Sequence, residues 1–191
     1  DADNAQKTQC LVLLQENDVQ LPVQTSDWLA PRKIRSHYHL RMEEQADFSR
    51  ISRLITGRGV GLVLSGGGAR AMAHIGVIRA LEESGLPIDA IGGVSAGSIV
   101  AGLWAMGLEN SEIVQRNIEA NDRIDYTLPL HALTSGGNWT KAMKNLFGDV
   151  MIEDLWRDFF CISANLTQGQ LLVHESGSLM HAVRASTAIP G

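Results

Sequence analysis

Only two of the 191 residues are cysteine, so a disulfide scaffold is excluded. Cys10 and Cys161 lie far apart, each inside an apolar run, and are expected as reduced, buried thiols of a cytoplasmic protein. No Cys-x-x-Cys or His-Glu-x-x-His spacing occurs, and no metal or other cofactor is expected. No apolar run approaches the ~20 residues that span a bilayer, and no basic start leads into an apolar signal segment. Basic excess is missing as well: 16 Lys+Arg stand against 21 Asp+Glu, a formal charge of −5, which argues against nucleic acid as a partner. The chain opens at Asp1 without Met and stops at Ile189-Pro190-Gly191, so it reads as a piece of a longer protein.

What is present divides in two. Residues 1–57 carry a single glycine, Gly57, and read as a lead-in segment. In it Cys10 to Leu14 reads as a buried strand, and Phe48, Ile51, Leu54 and Ile55 recur with helical spacing. Arg35-Ser-His-Tyr-His-Leu-Arg41 offers two His and two Arg to an anion, but reads better as a solvated connector docking on the next domain. From residue 58 to 191 the pattern becomes strand, glycine turn, helix, twice over. Val60 to Leu64 and Ile88 to Val94 are the strands, the first an apolar run expected to be covered on both faces. Two consecutive βα units imply an α/β fold with a mainly parallel central sheet. Helices after Ser111, around Trp139 to Leu146 and from Ser178, with strands at Phe159 to Ala164 and Leu171 to His174, complete the expectation.

The two turns carry the chemistry. Gly93-Val-Ser95-Ala-Gly97 fits Gly-x-Ser-x-Gly, the nucleophile elbow in which a sharp strand-to-helix turn exposes a serine hydroxyl. Glycine flanks it because a Cβ at either position would meet neighbouring backbone, and the helix behind Ser95 adds partial positive charge where an oxyanion would form. The other turn, Gly66-Gly67-Gly68-Ala69-Arg70, has three readings. It satisfies Gly-x-Gly-x-x-Ala, a dinucleotide fingerprint, yet the acid wanted at the end of the second strand is absent, since Asp89 sits at that strand's beginning. Its exposed amides could instead form an oxyanion hole beside Ser95, or the turn could be purely structural. A P-loop is excluded, since no Gly-Lys-Ser/Thr follows.

Gly66-Gly-Gly-Ala-Arg70 after an apolar strand, with Gly93-Val-Ser-Ala-Gly97 after the next, resembles the patatin-like phospholipase family. Trp28-Leu29, Tyr38-His-Leu-Arg41, Leu54-Ile-Thr-Gly57, Ala73-His-Ile-Gly76, Ile152-Glu-Asp-Leu-Trp156 and Val183-Arg-Ala-Ser186 extend the resemblance to its neuropathy target esterase branch, including bacterial members. Ala71 departs from the family, which usually has Gly after the Arg; its methyl group should narrow the loop slightly.

The resemblance implies a three-layer α/β/α fold and a serine ester hydrolase of phospholipids or lysophospholipids that works through a Ser-Asp dyad at a membrane or micelle surface. Ser95 would be the nucleophile, Gly66, Gly67, Gly68, Ala69 and Arg70 the oxyanion loop, and Gly93 and Gly97 the elbow glycines. A cytoplasmic, membrane-peripheral protein with an upstream cyclic-nucleotide-binding regulatory domain is expected, and a lipid-binding relative without catalysis is the alternative beside a nucleotide-binding module. Family members take the dyad Asp from an Asp-Gly-Gly/Ala motif. None of the eleven Asp residues is followed by Gly, so the base is expected outside this chain and the 191 residues alone are expected to be inactive. Asp122, Asp125, Asp149, Asp154 and Asp158 read better as solvated caps than as substitutes. His74 is expected to pack, and His174 and His181 have no spacing that favours a triad.

Overall fold

The computed structural model describes residues 9–121 and 136–188. Asp122 and Asp125 lie outside them. Two sheets organise the described residues, one parallel and one mainly parallel. In the first, β1 (Cys10–Gln15) pairs with β2 (Ser36–Arg41) in a register that runs from Cys10 opposite Ser36 to Gln15 opposite Arg41. The short helix α1 (Thr25–Leu29) connects them, and α2 (Gln45–Ile55) follows, its Glu44 side chain accepting from the Ala46 N–H at the cap. Ile51 of α2 packs on Tyr38 and Leu40 of β2 in a small core of their own.

The solvated connector expected over Arg35 to Arg41 is therefore a strand, and Tyr38, His39 and Leu40 in it are buried. Its polar alternation conceals burial because the histidines are hydrogen-bonded: Nε2 of His37 and of His39 lie 3.0 and 2.9 Å from the Glu153 carbonyl. Docking on the C-terminal part of the chain, the other part of that reading, is present in these bonds. Cys10 differs too, being exposed on β1, whereas Cys161 is fully buried and burial pushes its thiol up to about 12.

The second sheet runs β3 (Gly61–Leu64), β4 (Ala90–Val94), β5 (Asp158–Asn165), β6 (Gln170–His174), the first three parallel and β6 antiparallel to β5. A 3₁₀ turn at Gly68–Met72 and α3 (Ala73–Glu83) cross from β3 to β4. From β4 the chain enters α4 (Ala96–Ala105), apolar all round and buried from Gly97 to Ala105, as expected of a helix inside the core. The helices α5 (Asn110–Asn121), α6 (Gly136–Phe147) and α7 (Leu179–Ser186) complete the layer over the face that carries Leu64, Ile91, Phe159 and Cys161.

On the opposite face the Phe160 ring lies over Gly92, where a Cβ would collide with it. Val63, Leu171 and Val173 are exposed there among the described residues. Among the described residues β3 stands at the end of its sheet, and with Leu64 buried and Val63 61% exposed it is not covered on both faces as expected. Arg53 of α2 joins the two halves by gripping both Asp89 oxygens, at 3.1 and 2.7 Å to Oδ1 and 3.0 Å to Oδ2. Burial opposes the Asp89 charge, but the Arg53 bonds and the Val60 N–H hold its carboxyl below the usual range.

Candidate active site

Ser95 is the hinge between β4 and α4, and its backbone at φ 53° and ψ −130° occupies a region that residues with a side chain seldom adopt. Such a conformation costs on the order of 1–3 kcal/mol and persists only when its surroundings fix it. Both sides of Ser95 are held. Its carbonyl accepts from the Ser98 N–H at 2.8 Å and from the Ser98 hydroxyl at 2.6 Å, and its N–H donates to Ser186 Oγ at 2.9 Å.

The glycines explain how the turn fits. A methyl group on Gly93 would stand 2.6 Å from the Ser98 N and Cα, and one on Gly97 would stand 2.5 Å from the carbonyl oxygens of Leu64 and Ser65. The first turn of α4 therefore rests directly on the end of β3. At Gly66 a methyl group would come 3.1 Å from the Ser95 Cβ and 3.8 Å from its Oγ. The structure thus brings the two glycine turns into contact, with Gly66 against the serine.

Beyond Gly66 the loop is exposed from Gly67 to Arg70, with Gly68 at φ +57°. The Arg70 N–H turns back to the Gly67 carbonyl at 3.2 Å, and the first amides of the 3₁₀ turn lack intrahelical acceptors, which leaves them able to face an anion. His74 packs as expected and adds a tie: its Nε2 lies 2.9 Å from the Ser65 carbonyl at the root of the loop.

Among the described residues no carboxylate or imidazole is hydrogen-bonded to Ser95 Oγ. Asp154 accepts from the Thr25 N–H, and His174 bonds the Ser163 hydroxyl across the β5–β6 hairpin. Among the described residues no carboxylate stands at the end of β4, where a dinucleotide ribose would be met, and Asp89 is held at that strand's start by Arg53. Asp158 is opposite Ala90, four register steps before Ile162 and Val94, which puts it about 13 Å away along the strand.

Asp158 is not the solvated cap expected of it. Burial pushes its carboxyl up to about 6, with Asp89 adding to the rise while Arg50 and His37 oppose it. Because the folded state binds this proton more tightly than the unfolded chain, the contribution to stability is present below pH ~4 and is lost as pH rises through about 6. Asp158→Asn should therefore raise the thermal midpoint at pH 7.5 by ~2–4 °C and leave it unchanged at pH 4. A variant no more stable than the parent at pH 7.5 would contradict this assignment.

A strand that ends in a strained serine and turns into a buried helix beside a glycine loop marks the α/β proteins that present a serine on a nucleophile elbow. The patatin-like phospholipase family model matches residues 62–191, and the chain belongs to that family of ester hydrolases. It is similar to the neuropathy target esterase sws of Drosophila grimshawi, 39% identical over 154 residues, and to that of Drosophila melanogaster, 38% identical over the same length. Each match covers 76% of this chain, which spans about a tenth of those relatives (10% and 11%). Among solved structures, VipD from Legionella pneumophila aligns with a TM-score of 0.47 and 17% identity over 69% of this chain and 42% of its own. The type III effector protein ExoU aligns at 0.46 and 18%, over 70% and 40%.

Sequence reasoning placed Ser95 and the glycine turns but missed Ser98 and Ser186. Ser98, three positions into the helix, is a residue type whose hydroxyl readily donates back to the carbonyl three residues earlier, a signal that local sequence offers. Ser186 is 91 residues from Ser95 and carries no local signal.

Proposed function

We propose that the site is that of a serine hydrolase of phospholipid or lysophospholipid acyl esters. The observation that carries the proposal is Ser95 itself, strained at φ 53° with Gly66 packed against it. Ser95 Oγ attacks the acyl carbonyl carbon as its proton passes to an aspartate. The amides of Gly67, Gly68 and Ala69 then hold the oxyanion, with Arg70 adding positive charge and the α4 N-terminus its dipole. Collapse expels the alcohol of the lipid and leaves an acyl-Ser95 ester, which water cleaves by the same route. Gly93 and Gly97 keep the elbow compact. Labelling of Ser95 by a fluorophosphonate in the full-length protein tests this reading.

The proposed base is an Asp outside these 191 residues, in keeping with the lack of any Asp-Gly pair and of a described carboxylate beside Ser95. An aspartate with an ordinary pKa near ~4 needs desolvation and close positioning to deprotonate a hydroxyl. The 191-residue chain alone is accordingly expected to hydrolyse acyl esters at background rate. Robust turnover by it, lost in Ser95→Ala, would show that the base lies within it. We extend the proposal to a cytoplasmic enzyme that meets lipid at a membrane or micelle surface, regulated by an upstream cyclic-nucleotide-binding domain. No described helix is long and apolar enough to cross a membrane.

A further inference from the structure

We infer that Ser186 is a positioning residue for the nucleophile: its hydroxyl ties the Ser95 N–H to β5 and holds the strained backbone from which Oγ is aimed. The inference rests on the reading of Ser95 as nucleophile. Ser186 is the last residue of α7, and its Oγ accepts from the Ser95 N–H at 2.9 Å while donating to the Ile162 carbonyl at 2.6 Å. One hydroxyl has a single proton and free lone pairs, so both bonds can form at once.

The position of this bridge is informative. Val94 opposite Ile162 is the last register pair between β4 and β5, and at the next residue the chain leaves the sheet for α4. The Ser186 hydroxyl fills the gap that opens there and extends the ladder by one link. Ser98 holds the carbonyl side of Ser95, so Ser186 supplies the restraint on the other side. Its own place is braced from α6, where Trp139 Nε1 donates to Thr187 Oγ1 at 3.0 Å and Arg184 Nε donates to Thr140 Oγ1 at 3.2 Å. Without the hydroxyl, a half-buried N–H loses its acceptor and the peptide can rotate toward an ordinary conformation. Oγ would then swing away from the reacting carbonyl, while the surfaces that bind lipid stay in place.

The test uses the full-length protein, with fluorophosphonate labelling and steady-state hydrolysis of a lysophospholipid as readouts. Ser186→Ala should lower kcat and the labelling rate by about 10- to 100-fold with KM within about twofold. Ser186→Thr should recover both to within about threefold, and Ser186→Val, its isostere without a hydroxyl, should not. The Thr and Val pair decides the matter even where Ala fails to fold. Wild-type kcat in Ser186→Ala, or equal impairment of Thr and Val, would overturn the positioning role. If Ser95→Ala still labels and turns over, the hydrolase reading falls and this proposal with it. If Ser95→Ala is silent and Ser186→Ala is unaffected, only the role of Ser186 falls.

Discussion

Ser95→Ala in the full-length protein should eliminate fluorophosphonate labelling and lower acyl-ester hydrolysis by about four to six orders of magnitude, with the thermal midpoint kept. A nucleophile has no substitute in an acyl-transfer site, since the remaining oxyanion donors and binding surfaces act on an attack that no longer occurs. The effect on stability is close to nil because the strain at Ser95 belongs to its backbone and stays when Oγ is removed. The conformation at φ 53° costs on the order of 1–3 kcal/mol, and an alanine there bears the same backbone cost while giving up no hydrogen bond made by Oγ among the described residues. Activity and stability therefore part company at this position, which a residue serving only the fold would not show. Labelling that persists in Ser95→Ala would remove the nucleophile from the proposal.

Much of this arrangement is written locally. An apolar run that ends in glycines and passes into a helical pattern specifies a βα unit without reference to the rest of the chain, so β3, β4 and the turns at Gly66 to Arg70 and Gly93 to Gly97 are legible from residues within a few positions of each other. Local spacing also places Ser95 at the junction of β4 and α4. What is set by distant partners is not legible. β2 reads as polar until the Glu153 carbonyl is brought to His37 and His39 by a segment more than a hundred residues later. Asp158 looks like a surface acid until β2 and the start of β4 enclose it. The exposure of Val63 depends on which face of the sheet the helices cover, which apolar content does not encode. Ser186 belongs with these, since its meaning depends on α7 arriving at the end of β5. The turn that carries Ser95 is thus a local motif whose restraint is tertiary.

Gly97→Ala should be the most damaging of the small substitutions, and its effect should fall on the fold and the site together. The added methyl group would lie 2.5 Å from two carbonyl oxygens, Leu64 and Ser65, and 2.8 Å from the Leu64 carbonyl carbon. These are backbone atoms at the root of the Gly66–Arg70 loop, and none can yield by a rotamer change. Relief requires α4 to move off β3 by the better part of an ångström, but α4 is buried from Gly97 to Ala105 and cannot move without repacking the core around it. A cost of about 3 kcal/mol or more is expected, a large fraction of the stability of a domain this size. Molecules that still fold would carry Ser95 displaced from the Gly66 loop, and a misplacement near 1 Å costs about 100-fold in rate. Gly76→Ala in α3 is the control, because nothing lies within 4 Å of a methyl group there. It replaces a mid-helix glycine by the best helix former, so it should raise stability by about 0.5–1 kcal/mol and leave turnover alone. Thermal midpoints and turnover of the two variants, measured side by side in the full-length protein, check both expectations. A Gly97→Ala protein with wild-type midpoint and rate would mean that α4 does not press on β3 as described, and that the two glycine turns are held together by something else.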